Sequence, residues 1–162
     1  MNNINLLKKY ALTYLSKYDS TKKNLERILK NKVMRMKNLE TSEKNYLYQI
    51  IKQIIENLDS NKIINDEYFA STKIISLFRI GKSEAFIKKT LLQKRVDKKI
   101  INTTLRDFEK NNPDWKIESA EKFARKKRLG KFGDLNNKEK DLAKMSRAGF
   151  EYQIALKVLG YD

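Results

Sequence analysis

The sequence predicts an all-α fold arranged as an elongated array of tandem three-helix units. Three observations carry this reading. The stretch 63–108, IINDEYFASTKIISLFRIGKSEAFIKKTLLQKRVDKKIINTTLRDF, holds three short helical patterns separated by two turn signals. Looser versions flank it, and taking Ala11, Ala70 and Ala124 as equivalent points gives offsets of 59 and 54 residues. One proline and five glycines in 162 residues suit helices, and no alternating strand pattern of useful length occurs. None of these helices buries its apolar stripe alone, so each unit folds as a packed triplet. The expected units are 1–60, 61–112 and 113–162, in one continuous array.

The first helix is placed at Asn5 to Tyr18, with Leu7, Ala11, Tyr14, Leu15 and Tyr18 as its core stripe. Ser20–Thr21 breaks the chain. The second helix follows, with Leu25, Ile28 and Leu29 inward and Lys22, Lys23, Arg27 and Lys30 outward. Met34 and Met36, in its basic exit segment, read as gap-fillers. Thr41 or Ser42 opens the third helix, whose Leu47, Ile50, Ile51, Ile54, Ile55 and Leu58 form the most apolar stripe in the chain. Ile63 and Ile64 are expected to tuck under the next helix.

In the central unit Asp66 is placed as an N-cap, with Ala70, Ile74 and Phe78 following at helical spacing. Gly81 stops that helix, because glycine enters the left-handed region at little steric cost. Ser83 caps the fifth helix, with Ile87 and Leu91 inward and Val96 beyond. Asp97 caps the sixth, with Ile101, Leu105 and Phe108 on one face. Pro113 breaks the chain after Asn111–Asn112. The seventh helix starts near Asp114–Trp115, and Trp115 reads as a core anchor. Lys138–Ala148 and Glu151–Leu159 supply the last two helices, with Gly149 as the turn and Phe150 as a plug. A basic helix end followed by one apolar residue recurs at Gln93-Lys94-Arg95-Val96 and Arg147-Ala148-Gly149-Phe150.

Composition narrows the function. Lysine and arginine number 36 against 20 acids, a net charge of +16, so the natural partners are polyanions, chiefly nucleic acid. Abundant Asn, Ile and Lys also fit AT-rich coding, which raises lysine content without any ligand. There is no cysteine and no histidine. That removes disulfides, thiolate and imidazole metal sites, and triads built on either residue. No phosphate-cradling glycine loop or nucleophile elbow occurs. Asp66–Glu67 are explained by helix capping better than by catalysis. No metal, cofactor or enzymatic activity is expected. No run approaches the ~20 apolar residues of a membrane span. Lys8 and Lys9 interrupt any signal-peptide core, so the expected location is the cytoplasm.

The sharpest charge feature is Lys122 to Gly133, KFARKKRLGKFG, with six cations and no acid. Arg125, Lys126, Lys127 and Arg128 spread around the helix end. Lys131 and Phe132 follow in a tip flanked by Gly130 and Gly133, expected to be flexible. Charge selects Lys88, Lys89, Lys94 and Arg95 in the centre, and Arg125, Lys126, Lys127, Arg128, Lys131 and Arg147 in the last unit, as nucleic-acid or filament contacts. Phe132 is the candidate for base stacking, with packing on its own unit as the competing account.

Four phrases carry a resemblance to a known family: Ala11-Leu12-x-x-Leu15, Ile64-Asn65-Asp66-Glu67-Tyr68-Phe69-Ala70, Gly81…Ile87-x-x-x-Leu91-x-x-Lys94-Arg95-Val96, and Arg147-Ala148-Gly149-Phe150. In order and spacing, over about residues 11 to 160, they are similar to the RecX regulatory proteins, where they run roughly AL-x-x-L, LLDD-x-x-FA, G…I-x-x-x-L-x-x-KG-I and RRGF. Asn65 departs from the first acid of the DD pair. Arg95 departs from the glycine before Val96, which puts left-handed strain on that helix end. The end of the second helix, near Lys32–Met34, also lacks a glycine. The resemblance implies a curved, elongated array of three-helix repeats. It also implies a monomeric non-enzyme of DNA recombination, repair and the SOS response. Such a protein binds the RecA recombinase, its filament on single-stranded DNA, and single- and double-stranded DNA. It modulates, usually inhibiting, the recombinase's ATPase and strand exchange. The rival from residues alone is a stand-alone basic helical DNA- or RNA-binding protein with no recombinase partner.

Overall fold

The computed structural model describes residues 2–162. Among them are nine α-helices, two short 3-10 turns and no strand. The helices are α1 (Asn3–Leu15), α2 (Lys22–Met34), α3 (Thr41–Ser60), α4 (Asp66–Arg79), α5 (Glu84–Gln93), α6 (Lys98–Asn111), α7 (Trp115–Lys127), α8 (Lys138–Arg147) and α9 (Tyr152–Leu159). The 3-10 turns, Gly130–Phe132 and Leu135–Asn137, join α7 to α8. The chain packs as two compact units: one runs to Phe69 and takes in Lys94–Val96, the other comprises Ala70–Gln93 and Asp97–Asp162.

In the first unit, α1, α2 and α3 close around Leu7, Ala11, Leu25, Leu29, Val33, Ile51 and their neighbours, nearly all inaccessible to water. Spacings of three and four place these side chains on single faces of their helices. The apolar stripe of α3 is buried as the sequence predicts, save that Ile50 is only half-buried. Three expectations fail here. Tyr18, placed on the core stripe of the first helix, lies beyond the end of α1 and is exposed; Met34 is exposed as well. Ile64 is buried, but Ile63 is 52% exposed.

Asp66 is also corrected. Asn65 caps α4, its Oδ1 accepting from Tyr68 N at 2.9 Å. Asp66 is the first helical residue, so its side chain is free to reach elsewhere. It accepts from the backbone N–H of Lys22, the first residue of α2, at 2.9 Å. The carboxylate thus serves a helix start 44 positions away in sequence. Burial raises its pKa, partly offset by the hydrogen bond from Lys22.

Three helix–helix turns share one form. Asn38-Leu39-Glu40, Arg95-Val96-Asp97 and Gly149-Phe150-Glu151 each place a left-handed residue, then an apolar one, then the acidic N-cap of the next helix. The left-handed residues stand at φ 61°, 62° and 89°. Leu39 is half-buried, while Val96 and Phe150 are buried. Arg95 therefore adopts the strained conformation that its departure from glycine implied.

Two of these turns are held by an N-cap hydroxyl. Thr21 caps α2, accepting from Asn24 N at 3.2 Å, and donates to the carbonyl of Lys94 at 2.7 Å. Ser83 caps α5, accepting from Phe86 N at 3.2 Å, and donates to the carbonyl of Ala148 at 2.6 Å. In both cases the accepting carbonyl immediately precedes the left-handed residue. At the second, a Cβ on Gly149 would lie 2.6 Å from Ser83 Oγ, so the close approach demands glycine as much as the φ does.

In the second unit, Trp115 is buried against Phe78 and Phe108 in edge-on contacts, at ring separations of 6.4 and 5.6 Å. Its indole N–H is buried without an acceptor, so packing alone anchors it. Lys122 lies 3.7 Å over the Phe78 ring, and Ser119 donates to the Lys82 carbonyl at 2.7 Å, fixing α7 to the turn before α5. A second cluster, including Ala124, Leu129, Met145, Phe150 and Leu159, joins α7, α8 and α9. The break at Pro113 follows the end of α6, as predicted.

Ser83→Ala removes a cap and leaves a partly buried carbonyl unpaired, so urea unfolding should show a loss of about 2 kcal/mol. The same change at exposed Ser76 should stay within about 0.5 kcal/mol. Equal effects at the two positions would refute the special weight given to the Ser83 hydroxyl.

Candidate nucleic-acid interface

The predicted basic segment lies at the end of α7 and in the turn beyond it. Arg125, Lys126, Lys127 and Arg128 are all exposed. Arg128 takes a left-handed conformation, φ 53°, and ends the helix. Cations here oppose the negative end of the helix dipole, so the position favours them with or without a ligand.

The tip expected to be flexible is tied down. Gly130 N donates to the carboxylate of Asp141 at 2.8 Å, and Asp141 is itself buried. Gly130 stands at φ 51°, and a Cβ there would meet Leu159 O at 2.5 Å. Phe132 is half-buried against the α7–α9 cluster. The Arg125 guanidinium lies 4.4 Å over its ring and Lys131 Nζ 5.3 Å away. A base would reach Phe132 only by displacing one of these cations.

The structure gathers part of the predicted set. A notch of about 430 Å³ is lined by Phe123, Ala148, Lys127, Lys144 and Arg147. Its lining comes from the C-terminal ends of α7 and α8. Lys144 has one weak acidic neighbour, Asp141 at 3.6 Å. Three cations lining one notch suit a phosphate oxyanion. Sequence reasoning missed Lys144, which stands in KEKDLAKMSR among alternating charges and gave no signal of its own. It also missed Asp141, whose role depends on a chain fold-back that no local pattern reveals.

The central candidates divide between the two units. Lys89, on α5, is exposed in the second unit. Lys88 is paired with Glu84 at 2.6 Å, and Glu84 also binds Lys116 at 2.7 Å, which in turn approaches Glu109 at 3.5 Å. Lys94 and Arg95 are exposed in the first unit, where Lys94 offers its carbonyl to Thr21. Burial pushes the Glu84 carboxyl up, but hydrogen bonds from Lys116 and Lys88 outweigh it and hold the group below its ordinary value near 4.5.

Among the described residues no three His, Cys, Asp or Glu side chains are grouped to hold a metal, and no helix is long and apolar enough to cross a membrane. No protein-family model matches the chain. In sequence it is 33% identical over 158 residues to the regulatory protein RecX of Myxococcus xanthus (strain DK1622), covering 94% of this chain and 83% of that one. It is 35% identical over 112 residues to the regulatory protein RecX of Streptococcus agalactiae serotype III (strain NEM316), covering 68% of this chain and 42% of that one. In fold it is similar to the crystal structure of RecX from Lactobacillus salivarius, with a TM-score of 0.72, 21% identity, and coverage of 97% and 94%. A second crystal structure of a regulatory protein RecX gives a TM-score of 0.69 at 18% identity, with coverage of 98% and 72%.

The Glu84 pairing has a pH signature. A carboxylate with a lowered folded pKa adds stability above its unfolded value near 4.5, and that stability is lost as pH falls through the lower folded value. Glu84→Gln should therefore cost up to about 1 kcal/mol at neutral pH and progressively less in acid, read from urea midpoints across the acid range. A cost independent of pH would show that the carboxylate's charge is not what matters.

Proposed function

The chain belongs to the RecX family of regulatory proteins, and from that premise we propose that it binds the RecA recombinase and its filament on single-stranded DNA, lowering ATPase and strand-exchange activity. The observation that carries this reading is the identity to a RecX protein along 94% of the chain. It acts by binding and catalyses no reaction of its own. We further propose that the chain is organised as three repeats, 1–60, 61–112 and 113–162. The recurrence of the left-handed–apolar–acidic turn once in each segment supports that division.

DNA contact is assigned to the basic surface. Lys127 and Arg147, with Lys144, grip one phosphate in the notch, and Arg125, Lys126, Arg128 and Lys131 extend the positive surface along the backbone. Lys88, Lys89, Lys94 and Arg95 are additional filament contacts. Phe132 packs on its own cluster with Arg125 and Lys131 over its ring, which makes backbone contact the main mode there and stacking secondary. The net charge of +16 supplies long-range attraction to a polyanion.

Two measurements test this. In a titration of RecA's DNA-dependent ATPase with single-stranded DNA in excess, the rate should fall well before the added protein suffices to coat the DNA. A fall only at coating ratios would mean competition for DNA and would favour a plain nucleic-acid binder. For the notch, Lys127→Ala with Arg147→Ala should flatten the log–log salt dependence of single-strand binding by about 0.7, the share of one phosphate. An unchanged slope would remove the notch from the interface.

A further inference from the structure

The first unit carries an uncovered apolar trough that the basic surface does not explain. A hollow of about 530 Å³ lies between α1 and α3, lined by Ile4, Leu12, Ile50, Ile54, Leu58 and Ile63. Ile4, Lys8 and Leu12 recur every fourth residue and form one ridge of α1, while Ile50, Ile54 and Leu58 form the facing ridge of α3. Ile4 also borders a separate, more polar hollow lined by Asn2, Asn3, Ser42 and Glu43, which is not part of the trough. The α3 side of the trough runs from Ile50 to Leu58, about 12 Å at 1.5 Å per residue.

The walls are poorly covered for their chemistry. Leu12 is 50% exposed and Ile63 52%. One cation stands among them: Lys8, between Ile4 and Leu12 on the α1 ridge, has no ion pair among the described residues. Gln53 and Asn57 complete a polar rim. A concave trough of this length with apolar walls and a single unanswered cation has the shape and charge of a helix-in-groove site.

We propose that this trough docks an amphipathic helix from a protein partner. The partner's apolar stripe lies against Leu12, Ile54 and Ile63, and an acidic residue meets Lys8. A second copy of this chain is the wrong occupant, because pairing troughs would set Lys8 near Lys8 and +16 against +16. A lipid surface fits poorly as well, since interfacial helices present a convex apolar face rather than a channel. The proposal does not rest on the recombinase and DNA reading, because the trough belongs to the first unit and the basic notch to the second.

The test uses the full chain and a fluorescein-labelled designed helix of about 14 residues, long enough to span the trough, with a leucine stripe flanked by glutamates. A counterpart carries lysines in place of the glutamates. Fluorescence anisotropy at physiological ionic strength should show saturable binding of the acidic peptide, at least about tenfold tighter than its lysine counterpart. Leu12→Glu and Ile63→Glu should each weaken it about tenfold or more, with thermal melts unchanged because both side chains are half in water. Lys8→Glu should reverse the preference, and that reversal cannot come from a folding defect. Failure of the acidic peptide to bind, equal binding of both peptides, or indifference to Leu12→Glu would overturn the proposal. So would a dimer in sedimentation that Leu12→Glu dissolves, or binding to phosphatidylglycerol vesicles that Ile63→Glu abolishes.

Discussion

A single hydroxyl with two duties sets much of this structure. At Thr21 and Ser83 the oxygen accepts from the first turn of its own helix and donates to a distant carbonyl. Both residues are buried, so each half of the arrangement must be made, or a polar group is left dry. This constraint reaches the candidate interface directly. Ala148, which receives the Ser83 hydroxyl, follows Arg147, and both border the basic notch. Asp141 holds Gly130 and approaches Lys144. The cations are thus carried on ends of helices whose positions are fixed by short, directional bonds.

The location of the notch explains how three like charges tolerate one another. Lys127 ends α7, and Lys144 and Arg147 belong to the last turn of α8. Carbonyls without intrahelical partners gather at both ends, and their partial negative charge offsets part of the repulsion. The same effect makes lysine and arginine ordinary at such positions. What distinguishes this place is that cations from two helix termini line one notch.

Much of the architecture could be read in the sequence, because it rests on local periodicity and punctuation. Nine helices were expected and nine are present among the described residues. Thr21, Ser83, Asp97 and Gly149 take the cap and turn positions that their chemistry favours. Asp66 shows where such reading stops. Its residue type signals capping correctly, but the helix it serves is α2 rather than its own, and only the fold brings Lys22 beneath it. The candidate site shows the same limit. Consecutive cations mark a basic segment, yet which of them converge depends on Lys144 arriving from α8. That Phe132 is roofed by Arg125 follows from a turn held by a buried aspartate. Ile63 looked like a core residue because its neighbour is one; a two-residue apolar run at the end of α3 can bury only one side chain.

The bond from Thr21 to Lys94 spans 73 positions. During synthesis the three helices of the first unit leave the ribosome well before the segment that completes it. At about 5–20 residues per second the carbonyl of Lys94 follows Thr21 by roughly 4 to 15 s. For that interval the Thr21 hydroxyl has only water to donate to, and Val96 has yet to take its buried place. A nascent first unit is therefore a structure awaiting its last piece, and its surface near α2 is open to chaperones or premature partners in a way that the finished protein's is not.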